Sequence, residues 1–189
     1  MRTDEIERLE ERLVYSQPEN RWVKLYFDRV RFPNGAEGWY NRVLECDGRT
    51  GVVILPLHEL FVGLVRQFRY PIGKFAWELP RGFGGDKGTD AQAVTELCEE
   101  TGIQVRSEDL IDLGRIHQNS GLFASEVQLY AVLTESADSH DRNSDSEITE
   151  FQWFPLSRVL SMMNSGEIGD AFTMCTILRA AGRGLLKIE

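Results

Sequence analysis

Three carboxylates crowd one short stretch of the chain: Glu96, Glu99 and Glu100, at i, i+3 and i+4. On a helix this spacing brings them within reach of one another, where like charges repel unless a cation sits among them. Magnesium suits such a group, because it takes hard oxygen ligands and shares its shell with water and phosphate. A bare ExxEE pattern is more often a solvated acidic helix face. Here it follows a run of glycines, Gly82, Gly84, Gly85 and Gly88, that leads from a strand into the helix. That context points to a pyrophosphate site.

The elements that must position these groups can be read from periodicity. A helix is expected from about Thr89 to Thr101, with Thr89 as its N-cap and Gly102 as its C-terminal cap. Ala91, Val94, Leu97, Cys98 and Thr101 form its apolar stripe, with the glutamates on the opposite face. Upstream, WVKLYFDRVRF alternates apolar and polar residues, Pro33-Asn34-Gly35 is a turn signal, and GWYNRVLEC resumes a strand. GVVILPL (51–57) and LFVGLVRQF (60–68) read as apolar strands joined at His58 and Glu59. Strands are expected at 111–117 and 126–134, then an exposed polar loop, SADSHDRNSDSEITE, then a strand at FQWFPL. SRVLSMMNSG and FTMCTILRAAGRG read as two closing helices. Residues 2–14, with Ile6, Leu9, Leu13 and Val14 at helical spacing, read as an N-terminal helix. The order is α+β with a mixed sheet and helices packing on its faces.

Composition narrows the function. The chain has 189 residues, 42% hydrophobic and 10% aromatic, which is enough for one domain with a core and an appendage. No apolar run approaches the length of a membrane span, and the charged start lacks the apolar stretch of a signal peptide. Cys46, Cys98 and Cys175 show no CxxC spacing, so neither a disulfide framework nor a zinc site is expected, and the expected compartment is the cytosol. A net charge of −9 disfavours nucleic acid as a partner. A phosphorylated small molecule remains compatible with that charge if metal ions or a few arginines compensate locally.

The segment ELPRGFGGDKGTDAQAVTELCEETGI (78–103) resembles the Nudix signature, G-x5-E-x7-R-E-U-x-E-E-x-G-U, where U is a bulky apolar residue. Gly82 matches its first glycine, and Glu96 to Ile103 match its second half. RQFRYPIGKFAWELPRG and GEIGDAFT (166–173) are similar to the ADP-ribose pyrophosphatase branch, as is the strand-rich N-terminal part with its PNG turn. The chain departs from the signature twice. Lys87 or Gly88 stands where the first glutamate falls, and Thr95 stands where the arginine falls. In the family those two groups mainly brace the loop and the catalytic carboxylates.

The resemblance implies a Nudix fold, an α/β/α sandwich around a mixed sheet. Residues 1–50 would form an N-terminal helix and strand-rich dimerisation region, and 51–189 the hydrolase domain. It implies a magnesium-dependent homodimer, with manganese as the alternative ion. The enzyme would cut a nucleoside diphosphate sugar, with ADP-ribose the first candidate. Glu96, Glu99 and Glu100 are then the metal-binding carboxylates, with Glu99 and Glu100 also counted as catalytic. The backbone carbonyl of Arg81 is a further ligand. Arg69 and Arg81 are candidates to contact the diphosphate, and Trp22 or Trp77 to stack on the base. Glu147 is the candidate base for the attacking water, with Glu150 and Asp145 in reserve. The competing readings are a different Nudix substrate and a protein that binds a nucleotide sugar without cutting it.

Overall fold

The computed structural model describes residues 4–83, 88–136 and 148–188. They fall into two compact units: one made of the residues up to Arg49 with His117–Glu126, the other of Thr50–Ile116 with the residues from Val127 onwards.

The first unit is an antiparallel sheet built on one long strand. It contains β1 (Glu7–Glu10), β2 (Leu13–Gln17), β3 (Asn20–Arg31) and β4 (Glu37–Glu45). β4 follows one edge of β3, from Val23 opposite Glu45 to Arg31 opposite Glu37. β1 and β2 share the other edge, with Glu7 opposite Arg31 and Leu13 opposite Tyr26. The helix expected over residues 2–14 is therefore replaced by two short strands. A 12-residue β3 exposes a row of N–H and C=O groups, and pairing them outweighs the weak helix preference of a Glu/Arg-rich segment. The PNG turn forms as expected, with Gly35 at φ 84° and the Phe32 N–H donating to Ala36 O at 2.8 Å. Residues 117–126, which the 1–50 and 51–189 division separates from these strands, bond to β4. Val43 N–H donates to Leu122 O at 2.8 Å, and Ala124 N–H to Val43 O at 2.9 Å.

The second unit is a seven-stranded mixed sheet. Its strands are β5 (Gly51–His58), β6 (Phe61–Arg69), β7 (Lys74–Glu78), β8 (Arg81–Phe83), β9 (Leu110–Ile116), β10 (Val127–Leu133) and β11 (Ile148–Pro155). The main order is β11-β6-β5-β10-β9, with β5 and β10 parallel and the other pairs antiparallel. β5 is buried on both faces, and its alternation sorts the core. Val52 and Ile54 pack with Ala93 and Leu97 of α1 (Thr89–Thr101). Val53, Leu55 and Leu57 pack with Val159 and Met162 of α2 (Leu156–Ser165), and with Ile177 and Ala180 of α3 (Ala171–Gly182). Each fully buried large aliphatic side chain contributes about 1.5–3 kcal/mol. The result is the expected α/β/α sandwich around a mixed sheet. Among the described residues no helix is long and apolar enough to cross a membrane.

One irregularity of this sheet positions the site. β5 and β6 pair only at their joined ends, Leu57 with Val62 and His58 with Phe61. They then diverge, and residues 74–83 fill the opening: β7 pairs with β6, and β8 pairs with β5. The crossing Glu78-Leu79-Pro80-Arg81 therefore sits in a fork of the sheet, with Ile54 N–H donating to Pro80 O at 2.9 Å.

Candidate active site

Helix α1 presents its glutamates unequally. The side chains it buries are Ala93, Leu97 and Thr101, at steps of four, rather than the stripe through Ala91 and Val94. At about 100° per residue, Glu100 lies almost in line with Ala93, Glu96 at the margin of the buried face, and Glu99 on the far side. Glu96 and Glu100 are accordingly half-buried and Glu99 is exposed. The helix start also differs from expectation. Gly88, at φ 94°, occupies the N-cap, and the Thr89 hydroxyl does not cap but bonds the Tyr130 hydroxyl at 2.8 Å. At the other end Gly102, at φ 78°, closes the helix as expected.

Two contacts tie the glutamates to the fork. The Arg81 N–H donates to Glu100 Oε2 at 3.0 Å. Glu96 lies against Gly82, so a side chain at position 82 would have to push the Glu96 carboxylate out of its present place. Gln92, one turn earlier, donates from Nε2 to Glu96 Oε1. Burial pushes the Glu100 carboxyl up to about 8, against the pull of the Arg81 N–H and with the push of Glu96 beside it. Burial raises Glu96 too, Gln92 opposes the rise and Glu99 adds to it. Among the described residues no three His, Cys, Asp or Glu side chains converge as a ready-made metal cage. The donor set nonetheless fits a hard cation that keeps part of its water shell: two half-buried, mutually repelling carboxylates beside the strand that begins at Arg81.

Arginines gather on the other side of the crossing. Arg69, at the end of β6, donates from Nε to both Glu78 oxygens at 3.1 Å and from Nη2 to Oε2 at 2.6 Å. Arg81 reaches the same Oε2 through Nη2 at 2.7 Å and Asp170 Oδ1 through Nη1 at 2.8 Å. Two guanidinium groups and two carboxylates are thus held together, with the Glu78 side chain only 4% exposed. Glu78 and Asp170 are the residues that the sequence reading missed. Asp170 did carry a signal, an Asp-x-x-Thr start before an apolar run, and it caps α3 through Thr173 N–H at 2.8 Å.

The remaining candidates make none of these contacts among the described residues. Trp77 packs on the core and meets Phe154 edge-on at 4.9 Å, which leaves it a core residue. Trp22, in the first unit, is exposed on β3 with the Arg21 guanidinium 5.3 Å from its ring centre. Glu150 lies on β11 and pairs with Arg66 at 3.9 Å. Asp145 and Glu147 lie outside the described residues, as does Lys87. Thr95 is exposed, and its hydroxyl returns to Ala91 O at 3.0 Å.

Comparison with known proteins bears on the family and the fold. Residues 48–171 match the family described as NUDIX domain. The chain is 27% identical over 157 residues to an ADP-ribose pyrophosphatase of Mycobacterium tuberculosis, covering 80% of this chain and 72% of that protein. It is 36% identical over 95 residues to an ADP-sugar pyrophosphatase of Mus musculus, covering 44% of this chain and 43% of the mouse protein. A crystal structure of an "ADP compounds hydrolase" superposes with a TM-score of 0.77 at 18% identity, covering 96% of this chain and 97% of the other, and establishes likeness of fold.

Proposed function

Since the chain belongs to the Nudix family of hydrolases, we propose that it hydrolyses the diphosphate linkage of a nucleoside diphosphate sugar, ADP-ribose first among them, to a nucleoside monophosphate and a sugar phosphate. The observation that carries this reading is the juxtaposition in the fork: the half-buried Glu96 and Glu100 on one side of Arg81, and the Arg69–Glu78–Arg81 cluster on the other. A diphosphate bridged to a divalent cation needs both kinds of neighbour.

Glu96 and Glu100, with the carbonyl of Arg81, would hold magnesium or manganese, and Glu99 would complete the shell directly or through water. The bound ion would polarise a phosphoryl oxygen and acidify a water. Arg69 and Arg81 bind and orient the diphosphate oxygens, their guanidinium planes fixed beforehand by Glu78 and Asp170. Glu147 is the proposed base that orients the attacking water, and Trp22 the proposed platform for the nucleobase. The assembly proposed is a cytosolic homodimer through the strands of residues 22–45. Loss of the signature arginine at Thr95 does not leave the carboxylates unbraced, since Gln92 bonds Glu96 and the Arg81 N–H bonds Glu100. This favours a working enzyme over a protein that only binds.

The test is a hydrolysis screen over ADP-ribose, other nucleotide sugars, dinucleotides and nucleoside triphosphates, with magnesium, with manganese and with EDTA. Metal-dependent release of a nucleoside monophosphate from a nucleotide sugar is expected. Binding of ADP-ribose without turnover in either metal would overturn the reading.

A further inference from the structure

We propose that Asp170 is a positioning residue for the reaction, acting through Arg81 from the N-cap of α3. The proposal rests on the hydrolase reading above. Two sets of contacts meet at Arg81. Its backbone N–H supports Glu100, while its guanidinium donates to Glu78 and Asp170. Among the described residues these two carboxylates are the only hydrogen-bond or ion-pair partners of that guanidinium, with the Phe172 ring centre 5.1 Å away.

Glu78 alone does not fix the group. Arg81 reaches it at Oε2, the same oxygen that takes Arg69 Nη2 at 2.6 Å, so this anchor is single and shared. Asp170 supplies the second anchor, and two anchors set the plane of a guanidinium where one leaves it free to swing. Asp170 is itself held from behind. Its Oδ1 takes Arg81, while its Oδ2 accepts from the Thr173 N–H at 2.8 Å and the Thr173 hydroxyl at 2.7 Å. The same Thr173 oxygen accepts from the Leu79 N–H at 3.0 Å. The crossing from Glu78 to Arg81 is thereby tied to α3 at two points, one through backbone and one through charge. Asp170 is only 11% exposed, so little solvent screens its ion pair.

Asp170→Asn separates this role from helix capping. Asn caps as well as Asp, so the melting temperature should move by a few degrees at most, while Arg81 loses its charged anchor. KM for the hydrolysed nucleotide sugar should rise about tenfold, with a smaller fall in turnover, because a displaced guanidinium loses ground-state and transition-state contacts alike. In an Arg81→Ala background the same change should add less than about twofold, as expected for groups acting through one another. Equal factors in the two backgrounds would mean that Asp170 serves the helix alone, and would overturn the proposal. A second readout needs no substrate: hydrogen exchange at the Arg81 amide should accelerate in Asp170→Asn while the Thr173 amide stays protected. Unchanged exchange at Arg81 also overturns it. Should Asp170→Asn fail to fold, Arg81→Lys keeps the charge without the two-point geometry and must give the same rise in KM; a normal KM there overturns the proposal. If no nucleotide sugar is hydrolysed by the unaltered protein, the hydrolase reading fails, and the exchange experiment still decides whether Asp170 controls Arg81.

Discussion

On α1, Glu96 and Glu100 stand half-buried and close enough to repel, and among the described residues no cationic side chain bonds to either. In the fork, Glu78 and Asp170 are matched by Arg69 and Arg81 in a cluster whose side chains are 4–26% exposed. The first arrangement resists carrying both negative charges at once, a cost that a cation from outside can relieve. The second is balanced within the protein and supplies donors already fixed in place. The contrast teaches how one region is divided: the fork is balanced from within, whereas the helix face leaves its carboxylates without a bonded cationic partner among the described residues.

That contrast can be broken from either side. The largest effect is expected at Glu100. Glu100→Gln should lower turnover on the order of a hundredfold or more while the melting profile survives, and EDTA should abolish activity of the unaltered enzyme. Full activity in the Gln variant, measured at saturating magnesium, would remove Glu100 from the metal site.

A change at Glu78 tests the balanced side. Glu78→Gln leaves Arg69 without a bonded carboxylate and Arg81 with Asp170 alone, and should cost about 3 kcal/mol in urea unfolding. A loss below about 1 kcal/mol would mean that the cluster behaves like an exposed ion pair.

The subtlest effect is on pH dependence. Without metal, Glu100 titrates near 8 in the folded chain against 4.5 when unperturbed, so the folded state holds a proton that the unfolded state has lost across that window. Stability from this group is therefore fully present below about 4.5 and declines as pH rises to 8. The difference in melting temperature between the unaltered protein and Glu100→Gln, followed in EDTA from pH 5 to 9, should widen in favour of the Gln variant. Added magnesium should narrow it. A difference that stays constant with pH would exclude a raised carboxyl at this position.

What could be read in advance depended on how local the cause was. The unbroken apolar run of β5 can be satisfied only by burial on both faces, and Gly102 ends α1 by a conformation glycine adopts freely. Both were legible. The segment from Glu7 to Gln17 was not, because its local preference is helical and the free edge of β3, which decides the matter, lies later in the chain. The facing of α1 was misjudged by part of a turn. Thr89 and Tyr130 were drawn together by packing, and the burial of Ala93 rather than Ala91 follows from where β5 runs beneath the helix. In the site, the ExxEE spacing and Gly82 were visible because they lie within one strand–helix unit. The roles of Glu78 and Asp170 depend on groups that the fork brings together from β6, β8 and α3, and no local pattern encodes that meeting.

The fork also has a consequence in time. Leu79 reaches its partner Thr173 across 94 positions, and Arg81 reaches Asp170 across 89. Contacts that close such long loops carry a large entropic cost before they return anything, so they form late in folding unless other structure has already brought the ends together. During synthesis from the N-terminus, the glutamate helix and both arginines emerge long before α3 exists. A nascent chain that stops short of Thr173 therefore has the glutamates of α1 but not the contacts that steady Arg81. The site's steadying contacts wait on α3, whatever else of the site has formed before it.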